Sequence, residues 1–288
     1  MRLVARVPAT SANLGPGFDC FGLALDLVND VALDTEAAPG ITWEGEGAGE
    51  LPTDGTDMVS RSMAFVAHEA GRTLPPFGLH SVNRIPLERG LGSSSAASVA
   101  GVLLAAHLLG LELAGDPVGI FNVAGRMEGH PDNAGAAVFG GFTLSVQDGP
   151  PVRLDPHPSL CPVVLIPEDV RLSTAEARKA LASLVPRQDA VYNAAHAALM
   201  VVALTQRPDL LGLAMRDRLH QDARLALVPS VHEVFESISA LGVPVGVSGA
   251  GPTLLAFESE RIRVPDPGAR WRVLRLQVRA AGAEVTQS

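Results

Sequence analysis

Residues 86–101 read PLERGLGSSSAASVAG, a proline-led turn that runs into an alanine-rich apolar segment. We predict a helix over residues 93–109. The start of a helix leaves unpaired backbone N–H groups and about half a positive charge, and small residues there let a phosphate approach the main chain. Gly and Ser are also ordinary capping residues, so composition alone fits a plain helix start equally well. The stretch is not a Walker loop, because it lacks the Gly-Lys-Ser/Thr end.

A second polar segment, GRMEGHPDNAG, occupies residues 125–135 after a helix predicted from Pro117. Glu128 falls in the last turn of that helix, where the helix dipole makes an unpartnered carboxylate unfavourable. A magnesium ion completed by substrate phosphates would be a suitable partner, and so would Arg126 on a solvated surface. His130 fits a packed histidine, and Asp132 with its neighbour fits an Asx turn.

Two further loops are rich in small residues. One is PATSANLGPGFD at residues 8–19, and the other lies within VSGAGPTLLAF at residues 247–257. A loop beside a strand end commonly carries function, whereas the second loop also fits a simple hairpin.

Composition excludes several classes of protein. The chain has 288 residues, 47% of them apolar, and a net charge of −9, so a concentrated basic face for nucleic acid or an anionic membrane is not expected. The apolar segments are shorter than the roughly 20 residues of a membrane-spanning helix. Two cysteines without metal spacing, and an N-terminus without a signal-peptide core, predict a cytoplasmic protein.

Strands and helices alternate along both halves, which predicts an α+β protein of two lobes. Prolines cluster around residue 155, where we place the boundary between domains 1–155 and 156–288. Strands are predicted at 2–7, 23–35, 79–85, 136–146, 163–167 and on both sides of 248–252; helices at 58–71, 93–109, 117–129, from Ser173, and at 190–205, 209–227 and 230–241; loops at 8–19 and 39–57.

The loops at 8–19, 86–96 and 248–253 together resemble, in order and spacing, the three motifs of the GHMP kinases. This superfamily includes galactokinase, mevalonate kinase and homoserine kinase. TSANLGPGFD, and EGHPDN followed by GG, have the homoserine kinase form of these motifs. The resemblance covers essentially the whole chain. It implies a two-lobed GHMP kinase fold, with a ribosomal-protein-S5-like N-terminal lobe and a ferredoxin-like C-terminal lobe.

The same resemblance implies that the chain transfers a phosphoryl group from ATP to L-homoserine on the route to threonine, with Mg²⁺ as cofactor, and that it forms a homodimer. Magnesium ligands would be Ser94 and Glu128, and the catalytic residues would be Glu128, Asp132 and Asn133. The ATP phosphates would be bound by Pro86, Leu87, Glu88, Arg89, Gly90, Leu91, Gly92, Ser93, Ser94, Ser95 and Ala96. The amino alcohol would be bound by Asn13, Asp19, His130, Asn133, Arg178, Arg224 and Gly249.

Charge complementarity supports these substrate residues. The ammonium of homoserine suits the carboxylate of Asp19, and its carboxylate suits the guanidinium groups of Arg178 and Arg224. Ser173 and Glu176 predict a capping box that fixes the helix carrying Arg178.

Three matters remain open at this stage. Asp132 could act as a general base, or the hydroxyl could attack directly. Where the family often has asparagine and an aliphatic residue near adenine, this chain has Met58-Val59. The alternatives to homoserine kinase are a GHMP kinase for another small alcohol and a nucleotide-binding regulator without catalysis.

Overall fold

The computed structural model describes residues 1–129, 131–146 and 149–287, and within them the strands form two sheets. The first sheet has the strand order β11-β1-β2-β4-β3, with β5 pairing with β2 and β6; the second has the order β10-β7-β9-β8. The strands are β1 Arg2–Asn13, β2 Gly17–Asp34, β3 Gly40–Gly45, β4 Gly78–Asn83, β5 Phe142–Leu144, β6 Val152–Leu154, β7 Cys161–Pro167, β8 Val245–Val247, β9 Leu254–Glu258, β10 Trp271–Arg275 and β11 Glu284–Gln287.

The described helices are distributed over both halves of the chain. They are α1 Met58–Glu69, α2 Ser93–Leu108, α3 Pro117–Glu128, α4 Pro131–Phe139, α5 Thr174–Lys179, α6 Arg187–Thr205, α7 Leu211–Ala214, α8 Gln221–Leu225 and α9 Pro229–Ala240, with 3₁₀ turns at Glu112–Gly115 and Pro208–Leu210. No helix in this part of the chain is long and apolar enough to cross a bilayer.

Helix α2 is the central element of the N-terminal lobe. It is apolar on all sides, and it packs against α1, α3, α4 and β1, which matches the burial of its residues from Ala96 to Ala106 apart from Ala97. Its first turn therefore projects from a rigid core, and whatever binds there is held by a fixed backbone.

The loop predicted at residues 8–19 is mostly strand, and this prediction was wrong. Strand β1 continues through Pro8 as far as Asn13, and the register with β2 shifts immediately after Pro8. A proline is tolerated at such a bulge. Residues 8–13 are buried on both faces, so they lack the alternation of apolar and polar residues that identifies a half-exposed strand.

Three other predicted elements also differ from the structure. Residues 40–45, predicted as loop, form β3, an exposed edge strand parallel to β4. Residues 136–139, predicted as strand, belong to α4, whose small side chains pack closely against β1 and β2. The helix predicted at 209–227 is broken, because the Oδ2 atom of Asp217 accepts hydrogen bonds from three successive backbone N–H groups and begins a new helix, α8.

The core is continuous between the two sheets. One cluster of buried apolar side chains includes Leu23 and Phe142 from the first sheet and Val164 and Phe257 from the second. The last strand, β11, pairs with β1, so the end of the described chain belongs to the first sheet. The division at residue 155 stays a prediction.

Candidate active site

The turn before α2 is held in place by β1 and α4. Gly92 has a left-handed backbone with φ of 69°, and a Cβ there would lie 2.0 Å from Thr10 Oγ1. That hydroxyl donates to Asn133 Oδ1 at 2.7 Å, and the backbone N–H of Thr10 donates to the carbonyl of Leu91 at 3.1 Å. Glycine is therefore required at this position, and the start of α2 is a fixed site whose first N–H groups have no partner within the helix.

Glu128, at the C-terminal end of α3, faces the start of α2. Its Oε1 accepts from the hydroxyl of Ser94 at 2.7 Å, and its Oε2 accepts from the hydroxyl of Ser95 at 3.1 Å. Burial raises the pKa of the Glu128 carboxyl, while the two serine hydroxyls act in the opposite direction. The acid is therefore kept close to the helix start although its charge is poorly solvated.

These groups fit a hard divalent cation. One carboxylate and two hydroxyls are oxygen ligands of the kind Mg²⁺ accepts, leaving other positions for phosphate and water. Among the described residues, no cluster of three or more His, Cys, Asp and Glu could form a site composed of protein ligands alone.

Asp132 lies in the first turn of α4 and is 3% exposed. Its Oδ1 accepts from the backbone N–H of Asn133 at 2.7 Å and from the side-chain amide of that residue at 3.2 Å. Burial raises the pKa of Asp132 to about 6, with the Asn133 hydrogen bond acting against it. A carboxyl with such a pKa can exchange a proton near neutral pH.

The end of β1 and the start of β2 carry the groups predicted to bind an ammonium. Asp19 has a left-handed backbone, and its N–H donates to Asn13 Oδ1 at 3.0 Å. Asn13 in turn donates to the carbonyl of Gly249 at 2.9 Å. Arg178 Nη2 lies 2.7 Å from Asp19 Oδ1, so the two groups assigned to opposite ends of the substrate form an ion pair with each other.

Helix α5 positions Arg178. The predicted capping box is confirmed, because Ser173 accepts from the N–H of Glu176 and the carboxylate of Glu176 accepts from Ser173. Arg178 occupies the last turn, and its guanidinium carbon lies 5.7 Å from the centre of the Phe18 ring.

Arg224 in α8 is 4% exposed and reaches the same place from another direction. Its Nη1 donates to the Gly249 carbonyl at 2.6 Å and to His220 Nδ1 at 3.1 Å. Its guanidinium carbon lies 5.3 Å from the centre of the Phe18 ring. Burial lowers the pKa of Arg224 to about 10, so the residue remains a cation at neutral pH.

These groups line one cavity of about 300 Å³. Among the predicted site residues, the cavity is lined by Asn13, Asp19, Pro86, Glu88, Arg89, Gly90, Gly92, Ser93, Ser94, Ser95, Glu128, Asp132, Asn133, Arg178, Arg224 and Gly249. His130 lies outside the described residues. Leu91 is not in the lining, because its side chain is buried in the core.

Arg89 lines the cavity, but the hydrogen bonds of its guanidinium are made to backbone outside it. Its guanidinium donates to the backbone carbonyls of Pro167, Glu168 and Val170 in the C-terminal lobe. The residue thus ties the turn before α2 to the other half of the chain, a role that the sequence did not suggest.

A second cavity, of about 370 Å³, adjoins the first and shares Glu88, Ser93 and Ser94 with it. Leu87 and Ala96 from the predicted ATP set lie here, as do Met58 and Val59. The sequence analysis missed Trp43, Asp57, Asn83 and Arg171 in this cavity, and Leu172, Thr174 and Ala250 in the first. Ala250 lies within the third motif loop, 248–253, but its small apolar side chain gave no chemical signal. The other six residues lie outside the motifs, so no local signal could have identified them.

Comparison with known proteins defines the class. The family model for the N-terminal domain of GHMP kinases matches residues 57–141, and the model for the C-terminal domain matches residues 195–263. The two lobes are therefore the two domains of a GHMP kinase, as predicted.

Individual relatives identify the family within the GHMP kinases. The homoserine kinase of Clavibacter michiganensis is 44% identical over 93% of this chain and 84% of its own. The crystal structure of homoserine kinase from Cytophaga hutchinsonii superposes with a TM-score of 0.81 at 26% identity, covering 99% of this chain and 97% of that one. A putative homoserine kinase from Listeria monocytogenes gives a TM-score of 0.79 at 32% identity, with 99% of both chains covered. The chain belongs to the homoserine kinase family of the GHMP kinases.

Proposed function

We propose that the protein transfers the γ-phosphoryl group of ATP to the side-chain hydroxyl of L-homoserine, on the route to threonine. The hydroxyl oxygen forms a bond to the γ-phosphorus, and the bond from that phosphorus to the β,γ-bridging oxygen breaks. The products are O-phospho-L-homoserine, ADP and the proton of the hydroxyl. The family assignment supports both substrates.

One observation carries the proposal. The cavity combines an anion-binding helix start, an acid beside two hydroxyls, and a group of one carboxylate and two guanidiniums. The helix start and Glu128 suit a nucleoside triphosphate, whereas Asp19, Arg178 and Arg224 suit the two charges of an amino acid. A substrate that carries an ammonium, a carboxylate and a hydroxyl between these two regions matches the whole set.

Phosphoryl transfer depends mainly on positioning and charge stabilisation, and these residues can supply both. The amides at the start of α2 would hold the phosphates, and Asn133 would orient the attacking hydroxyl. Mg²⁺ would be held by Ser94 and Glu128, where it would neutralise phosphate charge. The second cavity, which is more apolar, would take the adenine, with Met58 among its contacts.

Substrate entry requires one rearrangement. Since Arg178 is paired with Asp19 at 2.7 Å, an incoming zwitterion exchanges that ion pair for two new ones, ammonium to Asp19 and carboxylate to Arg178. The pair is partly exposed, so breaking it costs little. After the exchange, Asp19 and Arg178 are each paired with one charge of the substrate.

Asp132 would accept the proton of the hydroxyl. Its raised pKa of about 6 leaves it mostly ionised at pH 7 and basic enough to take a proton. Direct attack, with the proton passing to phosphate or solvent, is the alternative.

Product analysis tests the proposal. Wild-type protein incubated with ATP, Mg²⁺ and L-homoserine should give a new phosphate monoester signal in ³¹P NMR, coupled to the methylene protons of homoserine. ADP and inorganic phosphate without the ester would overturn the proposed function. The homodimer and the cytoplasmic location stay predictions.

A further inference from the structure

His220 is a buried polar residue that the proposed chemistry does not use. It is 1% exposed, precedes α8, and is not in the lining of the substrate cavity. Its surroundings come from two parts of the chain that the site needs together. One is the turn after β1 with the start of β2, and the other is the helix that carries Arg224.

Both ring nitrogens of His220 have partners that fix its tautomer. Nε2 lies 2.7 Å from the carbonyl oxygen of Gly15, which can only accept, so Nε2 carries the hydrogen. Nδ1 is then a lone-pair acceptor, and it lies 3.1 Å from Arg224 Nη1. Burial lowers the pKa of His220 to about 4, in keeping with a neutral ring.

The imidazole face makes a third contact. It stacks on Phe18 at a centroid distance of 5.2 Å, and the guanidiniums of Arg178 and Arg224 lie over that same Phe18 ring. Gly15 lies in the turn between β1 and β2, and Phe18 and Asp19 follow it at the start of β2. His220 therefore joins the segment that offers a carboxylate to the helix that offers a guanidinium.

The hydrogen bonds of Arg224 show how His220 fixes its guanidinium. Nη1 has two hydrogens, and the Gly249 carbonyl and His220 Nδ1 accept one each. With both used, the planar guanidinium cannot rotate about its long side chain. The remaining N–H groups of the guanidinium are then available to a carboxylate in the cavity. The entropic cost of ordering the Arg224 side chain is therefore met before the substrate binds.

We infer that His220 is a positioning residue for the substrate carboxylate: its Nδ1 fixes the guanidinium plane of Arg224, and its Nε2 and ring face fix residues 15–19, which include Asp19. The inference rests on the proposed function, since it assigns Arg224 to the carboxylate of the amino alcohol. A purely structural histidine would contribute to stability and leave substrate recognition unchanged.

Three substitutions separate the contacts. His220→Asn keeps an acceptor near the position of Nδ1, His220→Gln keeps a donor near that of Nε2, and His220→Leu keeps neither. We expect the KM for L-homoserine to rise about tenfold or more in the Leu and Gln variants, and by about threefold or less in the Asn variant. The KM for ATP should change by about twofold or less in all three.

His107 offers a matched control. It is a part-buried histidine whose Nδ1 lies 2.9 Å from the carbonyl of Leu103, within α2 and outside both cavities. His107→Leu should leave the KM for L-homoserine unchanged, whatever its effect on the melting temperature.

A double-mutant cycle with Arg224→Met tests whether His220 acts through Arg224. If it does, His220→Leu should raise the KM for L-homoserine about tenfold in the wild-type background and about twofold or less in the Arg224→Met background. Should the Leu variant fail to fold, the same cycle is run with His220→Gln.

The outcomes distinguish the two proposals. Turnover of L-homoserine by the wild type, together with an unchanged KM in the Gln and Leu variants or equal effects in both backgrounds, overturns the inference and leaves the proposed function standing. Absence of L-homoserine turnover by the wild type overturns both.

Discussion

Glu128 is held at the C-terminal end of α3, where the helix dipole opposes a negative charge, by two serine hydroxyls. A carboxylate in this position lowers the stability of the folded protein unless a bound cation compensates its charge. The sequence suggested a partner for Glu128 for this reason, and the structure brings Ser94 and Ser95 to it.

Replacing this acid should mainly reduce turnover. We expect Glu128→Gln to lower kcat by about a hundredfold, roughly 3 kcal/mol of transition-state stabilisation, and to raise the Mg²⁺ concentration needed for half-maximal rate. Steady-state kinetics over a range of Mg²⁺ concentrations measures both. The exposed acid Glu112 gives the control Glu112→Gln. Near-normal turnover in the Glu128 variant would remove the metal assignment.

Asp132 makes stability depend on pH. Its pKa of about 6 exceeds the ordinary value of 3.8, so the folded protein retains a proton that the unfolded chain releases first. Its contribution is fully present below about pH 4 and is lost as pH rises through 6, a change of about 3 kcal/mol. Urea unfolding from pH 4 to 7 should show Asp132→Asn gaining stability relative to wild type by that amount. A difference in unfolding free energy between the two proteins that stays constant from pH 4 to 7 would contradict the raised pKa.

The same residue decides between the two proton routes. If Asp132 is the base, kcat/KM for L-homoserine should fall below about pH 6, because the carboxyl must be ionised to accept a proton. The Asp132→Asn variant should lose that limb and most of its rate. A variant that retains most of the wild-type rate would favour direct attack.

Functional residues outside the motifs could not be identified from the sequence. Asp19 and Arg224 could be assigned through the family resemblance, whereas His220 could not. The role of a histidine depends on which atoms the fold brings to its two nitrogens, and here these come from Gly15 and Arg224, distant in sequence from each other.

At the scale of elements, the start of α2 has the most demanding backbone. Gly92 has φ of 69° with a Cβ position only 2.0 Å from Thr10 Oγ1, whereas Gly110, just beyond the other end of the helix, has φ of 61° and open space. Alanine substitutions at Gly92 and Gly110 therefore separate the effect of backbone strain from that of steric conflict.

Gly110→Ala should lower the free energy of unfolding by about 1 kcal/mol, the strain of a left-handed alanine. Gly92→Ala should cost about 2 kcal/mol more, because it displaces Thr10 and breaks its hydrogen bond to Asn133, and should also raise the KM for ATP. Thermal unfolding and ATP kinetics measure these effects. Equal losses of stability in the two variants would show that the close approach at Gly92 is not important.

Elements with a clear period or a long apolar run could be predicted. Helix α1 was found by its apolar period and closing glycine, and α2 by its unbroken apolar run after Gly92. The second half of β1 was missed because it is buried on both faces, and the break between α7 and α8 was missed because it depends on the side chain of Asp217. Tertiary contacts decide both cases.

At the scale of the molecule, one cluster of buried apolar side chains extends across both lobes, and Arg89 links the lobes by hydrogen bonds to three carbonyls. Arg89→Met should lower the free energy of unfolding by about 2 kcal/mol, since it leaves those carbonyls unpaired. Arg207→Met, which breaks only an exposed local pair with Asp209, should leave stability unchanged. Urea denaturation measures both, and equal stabilities would contradict the role of Arg89.

The central claim concerns a nucleotide and an amino alcohol bound side by side, and ADP release measures it most directly. Wild-type protein is assayed with ATP, Mg²⁺ and, in turn, L-homoserine, mevalonate, galactose and shikimate. We predict a kcat/KM for L-homoserine about a hundredfold or more above that of any other alcohol, because only homoserine carries both charges that the cavity can pair. A higher value for another alcohol, or nucleotide binding without turnover of any, would contradict the account.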